Sequence, residues 1–200
     1  RFSGVDNDLA IRVLLTHVAS PESAPIAEDH PIKPVTAYGM SKAAAEAAAQ
    51  DICAAKSVPL TSLRFTQIYG PRERPIKAIP LFVRAIAKGG TPVLFGDGSD
   101  RRDYLYVSDA VDAVLLAMNT GTSGIFNVAS GISVSLKDVI EALITISGKD
   151  ITPRYEERRK AKIDILLDIS SAKSALGFEP KMLLLDGLKA TYDYYLTHNA

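Results

Sequence analysis

One segment of the sequence restricts the possible folds more than any other: an alanine-rich stretch followed by a short apolar one. Residues 43–49 are six alanines and one glutamate. Because alanine has the highest helix propensity, we predict a helix that runs to about Lys56. Val58-Pro59 then interrupts the chain, and residues 60–65 are apolar enough for a strand. A helix followed by a strand of suitable length is the unit of a parallel sheet, so the sequence predicts an α/β fold.

The rest of the chain continues this alternation of helices and strands. Residues 9–18 are apolar enough for either, and residues 21–35, with four prolines, are predicted to be a loop. Ser108 or Asp109 is expected to cap one helix, and Ser135, followed by Asp138, another. The remaining predicted helices cover residues 79–88, 110–118, 137–147, 171–177 and 184–196, and the remaining strands cover 93–95, 104–107, 124–129 and 163–169.

The composition excludes several classes of protein. With 200 residues, 47% of them hydrophobic, the chain can form one domain of ordinary size or one and a half closely packed ones. Its 23 basic residues balance 23 acidic ones, so bulk charge does not indicate a nucleic-acid or membrane-surface partner. No apolar run approaches the ~20 residues that span a bilayer. The single cysteine, Cys53, cannot form an intrachain disulfide, which favours a reducing cytoplasm.

A tyrosine and a lysine near the start of the alanine-rich helix are candidates for proton transfer. Tyr38 and Lys42 are four residues apart, which places both side chains on the same helix face. A positive charge beside a phenol favours the phenolate, so the pair can donate and accept protons near neutral pH. The spacing alone is a weak signal, since the chain has eight tyrosines and an exposed pair on a helix needs no function.

Polar residues near predicted strands form a second set of candidates. Ligands of open α/β sheets bind beyond the carboxyl ends of the strands, and the cluster that includes Gln67 directly follows the strand at 60–65. Arg101-Arg102 can hold an anion bidentately, and the basic residues around Arg158 can supply further phosphate contacts. Each feature also has an ordinary interpretation, as a turn, a solvated arginine pair and a solvated charged loop.

These candidates belong to one ordered set of motifs. In chain order, the motifs are Pro-Ile-x-Glu-Asp (25–29), Tyr-x-x-x-Lys (38–42), Arg-Phe-x-x-x-Tyr-Gly-Pro-Arg (64–72), Gly-Asp-Gly-x-x-x-Arg-Asp-Tyr-x-Tyr-Val-x-Asp (96–109), Phe-Asn-Val-Ala-Ser-Gly (126–131) and Asp-Ile-Ser-x-Ala-Lys-x-x-Leu-Gly-Phe-x-Pro (168–180). The set resembles the extended short-chain dehydrogenase/reductase family, specifically its NAD-dependent nucleotide-sugar epimerases and dehydratases. The resemblance covers roughly residues 24–195, and its specificity lies in the order of the motifs.

The resemblance implies a particular division of the chain. It implies a partial Rossmann-like parallel sheet, the C-terminal half of the cofactor domain, next to a smaller α/β substrate-binding domain. Residues 1–74 are then expected to be a remnant of the dinucleotide-binding domain that includes the Tyr-x-x-x-Lys helix. Residues 75–200 are expected to be mainly the nucleotide-sugar domain, with a strand near 124–129 that returns to the first sheet.

The resemblance also implies roles for individual residues. Tyr38 is similar to the catalytic acid/base that exchanges a proton with the sugar hydroxyl while hydride moves to or from NAD. Lys42 is similar to its partner, which favours the phenolate and bonds the nicotinamide ribose, so both residues are also implied to bind the cofactor. Gln67 falls where the family usually has an asparagine that contacts the sugar diphosphate. Arg102 and Arg158 match the two arginines that grip that diphosphate, and no metal site is implied.

The sequence departs from the family pattern in two places. The family begins with a strand, a Gly-x-x-Gly-x-x-Gly loop and a helix that bind the dinucleotide. Gly4 is the only glycine before Gly39, so we expect that the N-terminal NAD-binding portion is missing. The family also has a catalytic serine or threonine before the tyrosine. Ser20 is the nearest equivalent here, and Thr16 is the alternative.

The resemblance leaves three functional hypotheses. The first is a NAD-dependent epimerase of the UDP-sugar 4-epimerase type, favoured by the run at residues 72–78. The second is a catalytically inactive truncated homologue that binds a nucleotide sugar or a partner subunit. The third is a sugar-nucleotide 4,6-dehydratase, which is disfavoured because no Asp-Glu pair accompanies Ser20. The expected partners are a UDP-sugar and a second copy of the chain, bound through the alanine-rich helix that the family uses in dimers. Neither nucleic acid nor a membrane is expected.

Overall fold

The computed structural model describes residues 10–15, 24–73, 77–158 and 161–198. Strands and helices alternate along this part of the chain, which confirms the predicted α/β class. In chain order, the elements are β1 (Ala10–Leu15), α1 (Ala37–Ala55), β2 (Leu60–Phe65), β3 (Gln67–Tyr69), α2 (Ala78–Ala87), β4 (Val93–Phe95), β5 (Arg101–Tyr106), α3 (Val107–Thr120), β6 (Gly124–Val128), β7 (Ser133–Ser135), α4 (Leu136–Ser147), β8 (Arg154–Glu156), α5 (Ser170–Leu176) and α6 (Leu184–Thr197). None of the helices described is long and apolar enough to cross a membrane.

A parallel sheet of three strands forms the first half of the structure. Its order is β1-β2-β6, and in the central strand Leu63 pairs with Val13 on one side and Phe126 on the other. Five of the six residues of β2 are buried, as in parallel strands that are covered on both faces. Helix α1 packs against β1 and β2, and helices α3 and α5 enclose a core that includes Phe126 and Phe178.

The second half contains a mixed sheet and a separate pair of strands. In the order β3-β5-β7, β3 runs parallel and β7 antiparallel to β5, while β4 pairs in parallel with β8. Helices α2, α4 and α6 pack against one another around a second core. Val83, Ile86, Leu143 and Leu188 are fully buried there.

Two residues join the two sheets. Thr66 lies between β2 and β3; its N–H donates to Val128 O in the first sheet at 3.2 Å, and its hydroxyl donates to Asp103 O in the second at 2.7 Å. The buried Asp103 carboxylate accepts bonds from Ser130 N at 2.9 Å, Ser130 Oγ at 2.7 Å and Gly131 N at 3.1 Å. Burial raises the pKa of Asp103, and these donors act in the opposite direction. The two sheets are therefore connected by hydrogen bonds of Thr66 and of the residues that follow β6.

Two local predictions were wrong and one is confirmed. Helix α3 begins at Val107, without a side-chain cap, because the buried Asp109 carboxylate instead accepts bonds from Lys181 N at 3.1 Å and Met182 N at 3.0 Å. The strand predicted at 163–169 is absent from the described residues, where only Leu167 forms an isolated bridge, with Ile26. The reason is that successive backbone groups of this segment form hydrogen bonds with different parts of the chain, so the segment pairs with no single strand. The cap of α4 is confirmed as a reciprocal capping box of Ser135 and Asp138.

Candidate active site

The first turn of α1 carries Tyr38 and Lys42. Thr36 caps the helix by accepting a hydrogen bond from Gly39 N at 3.0 Å. Gly39 is buried, and a Cβ there would lie 3.1 Å from Pro34 Cβ and 3.2 Å from Thr36 Oγ1. The glycine after Tyr38 therefore lets the incoming loop pass close to the helix, which fixes where the tyrosine emerges.

Lys42 and Tyr38 approach each other on the same face of this helix. Lys42 Nζ lies 5.4 Å from the centre of the Tyr38 ring, within the range of a cation–π contact. Tyr38 is 45% exposed, so a ligand can reach the phenol. The arrangement can place a proton donor and acceptor beside a positive charge, and the catalytic role of both residues stays a prediction.

A buried ion pair attaches α1 to β2. Glu46 and Arg64 are only 4% and 6% exposed. Glu46 Oε1 accepts from Arg64 Nη2 at 2.5 Å, and its Oε2 accepts from Arg64 Nε at 3.1 Å and from Ser62 Oγ at 3.1 Å. Such bidentate geometry fixes direction as well as distance. The pair therefore sets the position of the helix that carries Tyr38.

The loop before α1 is held by the same arginine and by two further elements. Arg64 Nη1 donates to Glu28 O at 2.7 Å, and the Glu28 carboxylate accepts from Asn127 N at 2.8 Å and from Ser171 Oγ at 3.3 Å. Asn127 Nδ2 also donates to Ile26 O at 2.9 Å. The Pro-Ile-x-Glu-Asp motif and the Asn of Phe-Asn-Val thus bond to each other across the fold.

Arg102 and Arg158 come together around one buried carboxylate. Arg102 lies on β5, Arg158 follows β8, and Asp100 between them is 6% exposed. Asp100 Oδ2 accepts from Arg158 Nη1 at 2.6 Å, and Asp100 Oδ1 lies 4.0 Å from Arg102 Nη2. Two guanidinium groups thus share a single acid, which is an arrangement suited to binding a further anion.

The two arginines are also held by the backbone. Arg102 Nη1 donates to Ile163 O and, at 2.8 Å, to Arg101 O. The Arg158 guanidinium lies on the backbone of Gly96, where a Cβ would come within 2.8 Å of it. Gly96 has φ +76, a conformation that favours glycine. The turn between β4 and β5 therefore provides a surface for Arg158.

Gln67 lies on β3 and lines a small cavity. It pairs with Tyr104 on β5, two residues beyond Arg102. The cavity, of about 10 Å³, is also lined by Glu73 and Lys77, whose Nζ lies 3.1 Å from Glu73 Oε1. Within the part of the chain that the structure describes, Glu73 Oε2 and the Tyr104 hydroxyl are buried without a hydrogen-bond partner. Burial raises the pKa of Glu73.

The remaining predicted site residues lie elsewhere. Ser20 and its alternative Thr16 fall outside the described residues. Among the residues described, no cluster of three or more His, Cys, Asp or Glu side chains could hold a metal ion. The predicted groups therefore lie on two parts of the fold: the Tyr38 pair on α1, and the arginines and Gln67 around β5.

Sequence reasoning did not predict the acidic residues that hold α1 and the two arginines in place. Glu46 is a charge within an alanine-rich helix, and Arg64 is a charge within an apolar strand. Buried charges are nearly always paired, so these two exceptions to the apolar pattern were the available signal. Asp100 gave no comparable signal, because an aspartate shortly after a Gly-Asp-Gly turn is common.

Comparison with known proteins identifies the family of this chain. The model of the NAD dependent epimerase/dehydratase family matches residues 14–129. A putative UDP-glucose 4-epimerase of Methanocaldococcus jannaschii is 32% identical over 186 residues, which cover 90% of this chain and 59% of that protein. A dTDP-glucose 4,6-dehydratase of Streptomyces griseus is 30% identical over 176 residues, 86% of this chain and 54% of that protein.

Solved structures give the same result. The UDP-glucose 4-epimerase of Thermotoga maritima with UDP-glucose matches with a TM-score of 0.88 and 31% identity, over 94% of this chain and 63% of that one. The UDP-glucuronic acid 4-epimerase of Bacillus cereus with UDP-glucuronic acid and NAD matches with a TM-score of 0.86 and 29% identity, over 94% and 61%. The chain thus spans less than two thirds of the length of each of these proteins. It belongs to the NAD dependent epimerase/dehydratase family.

Proposed function

We propose that the chain is part of a NAD-dependent nucleotide-sugar 4-epimerase that acts on UDP-sugars. The observation that carries the proposal is the accessible Tyr38 phenol beside Lys42 Nζ at the start of α1. The similarity to epimerases crystallised with UDP-glucose and with UDP-glucuronic acid supports the substrate class. The shared site of Arg102 and Arg158 supports a doubly anionic ligand such as a diphosphate.

The described residues fit one end of NAD. Tyr38 and Lys42 offer a phenol and an ammonium, both of which can bond the hydroxyls of a nicotinamide ribose. The described residues before α1 contain no glycine, so they offer no glycine-rich turn for the pyrophosphate. Among the described residues, we therefore assign contacts to the nicotinamide ribose alone. When bound, NAD supplies the acceptor and donor of the hydride that leaves and rejoins the sugar carbon.

The residues of this chain would move the proton and hold the substrate. Tyr38 would accept the proton of the sugar 4-hydroxyl as that carbon is oxidised, and would return it after the sugar has turned. Lys42 would stabilise the phenolate that is present before the proton is accepted and again after it is returned. Arg102 and Arg158 would bind the diphosphate, and Gln67 would contact the sugar diphosphate through its amide. Because the diphosphate contacts lie away from the reacting carbon, they would leave the sugar ring free to turn.

The experiment that tests this function measures bound NAD and epimerisation together. The purified chain is denatured to release NAD, and the native chain is incubated with NAD and either UDP-glucose or UDP-glucuronate. With NAD supplied, we expect formation of UDP-galactose or UDP-galacturonate, detected by ion-exchange chromatography. Stoichiometric NAD in the denatured sample would indicate that the cofactor site extends beyond the nicotinamide ribose contacts. Absence of both products would contradict the epimerase, and a 4-keto-6-deoxy product from a glucose nucleotide would favour the dehydratase.

The short span of the chain keeps one alternative open. The chain covers 59% of the M. jannaschii relative, so an inactive chain that still binds a nucleotide sugar or a partner subunit is the second candidate. Tight binding of a UDP-sugar without NAD and without turnover would support it.

We further propose that the protein is a homodimer that pairs through α1. The outer face of this helix combines exposed small residues with exposed apolar ones, including Met40 at 53% and Ile52 at 57% exposure. Small side chains permit close approach of two helices. In sedimentation velocity at micromolar concentration we expect a dimer that Ile52→Glu dissociates. The control, Leu115→Glu on α3, alters a residue that is 49% exposed and should leave the dimer intact. A monomeric unmodified chain would contradict the proposal.

A further inference from the structure

Arg158 is bound by two carboxylates that differ sharply in burial. Its Nη1 donates to Asp100 Oδ2 at 2.6 Å and its Nη2 donates to Asp97 Oδ1 at 2.8 Å. The Asp100 side chain is 9% exposed, whereas that of Asp97 is 69% exposed. Each terminal nitrogen of the arginine therefore donates to a carboxylate, Nη1 to an internal acid and Nη2 to an acid at the surface.

Asp100 is part of the internal framework. Its Oδ1 accepts from Ile163 N at 3.2 Å, and its backbone O accepts from Leu136 N at 3.0 Å. The same Oδ1 lies 4.0 Å from Arg102 Nη2, so the carboxylate separates two positive charges. Without it, the two guanidinium groups would repel each other. Asp100 thus holds the two arginines near each other.

Asp97 is held mainly by its own turn. Its Oδ1 accepts from Ser99 Oγ at 2.7 Å and from Ser99 N at 3.1 Å. These hydrogen bonds, with a smaller contribution from Arg158, lower the pKa of Asp97 to about 2. The carboxylate is therefore an anion at neutral pH. Exposed ion pairs contribute little to stability, so its bond to Arg158 can be exchanged at small cost.

We propose that the Asp97 carboxylate occupies the position of a phosphate oxygen on Arg158, and that an incoming diphosphate displaces it. During this exchange Asp100 keeps its bond to Arg158 Nη1 and holds Arg102 nearby, so Asp100 is a positioning residue. The proposal rests on the proposed function, because it takes the diphosphate of a nucleotide sugar as the ligand. It adds that affinity for this ligand is set by competition with an acid of the chain itself.

The two aspartates should then have opposite effects on diphosphate binding. The experiment measures the Kd of UDP by isothermal titration calorimetry for the unmodified chain, Asp97→Asn and Asp100→Asn. Asp97→Asn removes the competitor and one negative charge, so UDP should bind about threefold more tightly. Asp100→Asn removes the shared acid between the arginines, so the Kd should rise about tenfold or more.

Uridine and a distant ion pair serve as controls. Uridine lacks phosphates, so its affinity should be the same in all variants, whereas a general distortion would change it too. Asp112→Asn removes the acid of another exposed pair, with Lys181 at 3.1 Å, and should leave UDP binding unchanged. Thermal denaturation checks that Asp100→Asn is folded; if it is not, the Asp97→Asn result decides the proposal alone.

The outcomes separate this proposal from the proposed function. If the unmodified chain binds UDP but Asp97→Asn binds it equally or more weakly, the exchange is wrong and the nucleotide-sugar site stands. A folded Asp100→Asn variant with unchanged UDP affinity would refute the positioning role. If the unmodified chain does not bind UDP, both the proposed function and the exchange fail. Opposite shifts of the predicted sign, with uridine unaffected, would support the proposal.

Discussion

Tyr38→Phe should lower kcat for UDP-sugar epimerisation by about 10²–10⁴-fold, the usual contribution of a positioned acid/base. The substitution removes only the phenolic oxygen, so the ring that Lys42 Nζ approaches at 5.4 Å is retained. The proposed diphosphate contacts of Arg102 and Arg158 do not involve this oxygen. The Kd of UDP should therefore stay within about twofold of the original value, because little binding energy is removed. Steady-state kinetics and calorimetry on the same preparation measure both quantities.

The chain offers a matched control for this substitution. Tyr155 lies on β8 and is 48% exposed, against 45% for Tyr38. Tyr155→Phe should leave kcat unchanged. Full activity of Tyr38→Phe would remove the catalytic assignment, and equal losses in both variants would point to a general effect of losing an exposed phenol.

Glu46→Gln should lower the free energy of unfolding by about 3–5 kcal/mol, the cost of leaving a buried charge without its partner. The carboxylate that it removes accepts two bonds from Arg64 and one from Ser62. Arg64 would remain in the interior at 6% exposure, with its bond to Glu28 O as compensation. Urea denaturation followed by circular dichroism gives the measurement. Epimerase activity of this variant should also fall, because the ion pair of Glu46 and Arg64 positions the helix that carries Tyr38.

Two further variants distinguish an unpaired charge from a loss of packing. The double substitution Glu46→Leu with Arg64→Met removes both charges and should recover most of the lost stability, because apolar replacements of buried pairs are often neutral. Asp193→Asn breaks the exposed pair of Lys189 and Asp193 on α6 and should cost about 0.5 kcal/mol or less. A double variant as unstable as Glu46→Gln would refute the explanation by unpaired charge.

Local sequence patterns predicted most of the elements but not the partners of an extended segment. The alanine run identified α1 through helix propensity alone, and the apolar stretch after Pro59 identified β2, five of whose six residues are buried. Residues 163–169 have the same apolar character. However, Ile165 N bonds Arg101 O and Asp168 N bonds Ile26 O, so no single neighbour completes a ladder. Whether an apolar segment becomes a strand depends on pairing with distant chain, which periodicity does not encode.

The candidate site shows the same division between local and distant information. The proximity of Tyr38 and Lys42 was predictable because a four-residue spacing on a helix fixes their geometry. The specific roles predicted for Arg102 and Arg158 come from the family resemblance. Their shared acid was not predicted, since 58 residues separate Arg158 from Asp100. No sequence rule predicts that an aspartate would accept a hydrogen bond from an arginine that is expected to bind phosphate. The competition between Asp97 and a ligand is therefore visible only in three dimensions.

The bonds that Thr66 and Asp103 make across the two sheets bear on how quickly a ligand can be captured. A nucleotide sugar with its reacting carbon at one sheet and its phosphates at the other would otherwise require a closing movement after first contact. Here both sheets are fastened at the point where the chain passes between them. We therefore expect the distance between Tyr38 and the two arginines to change little when a ligand binds. Association should follow a single concentration-dependent phase, without the slower isomerisation that domain closure adds.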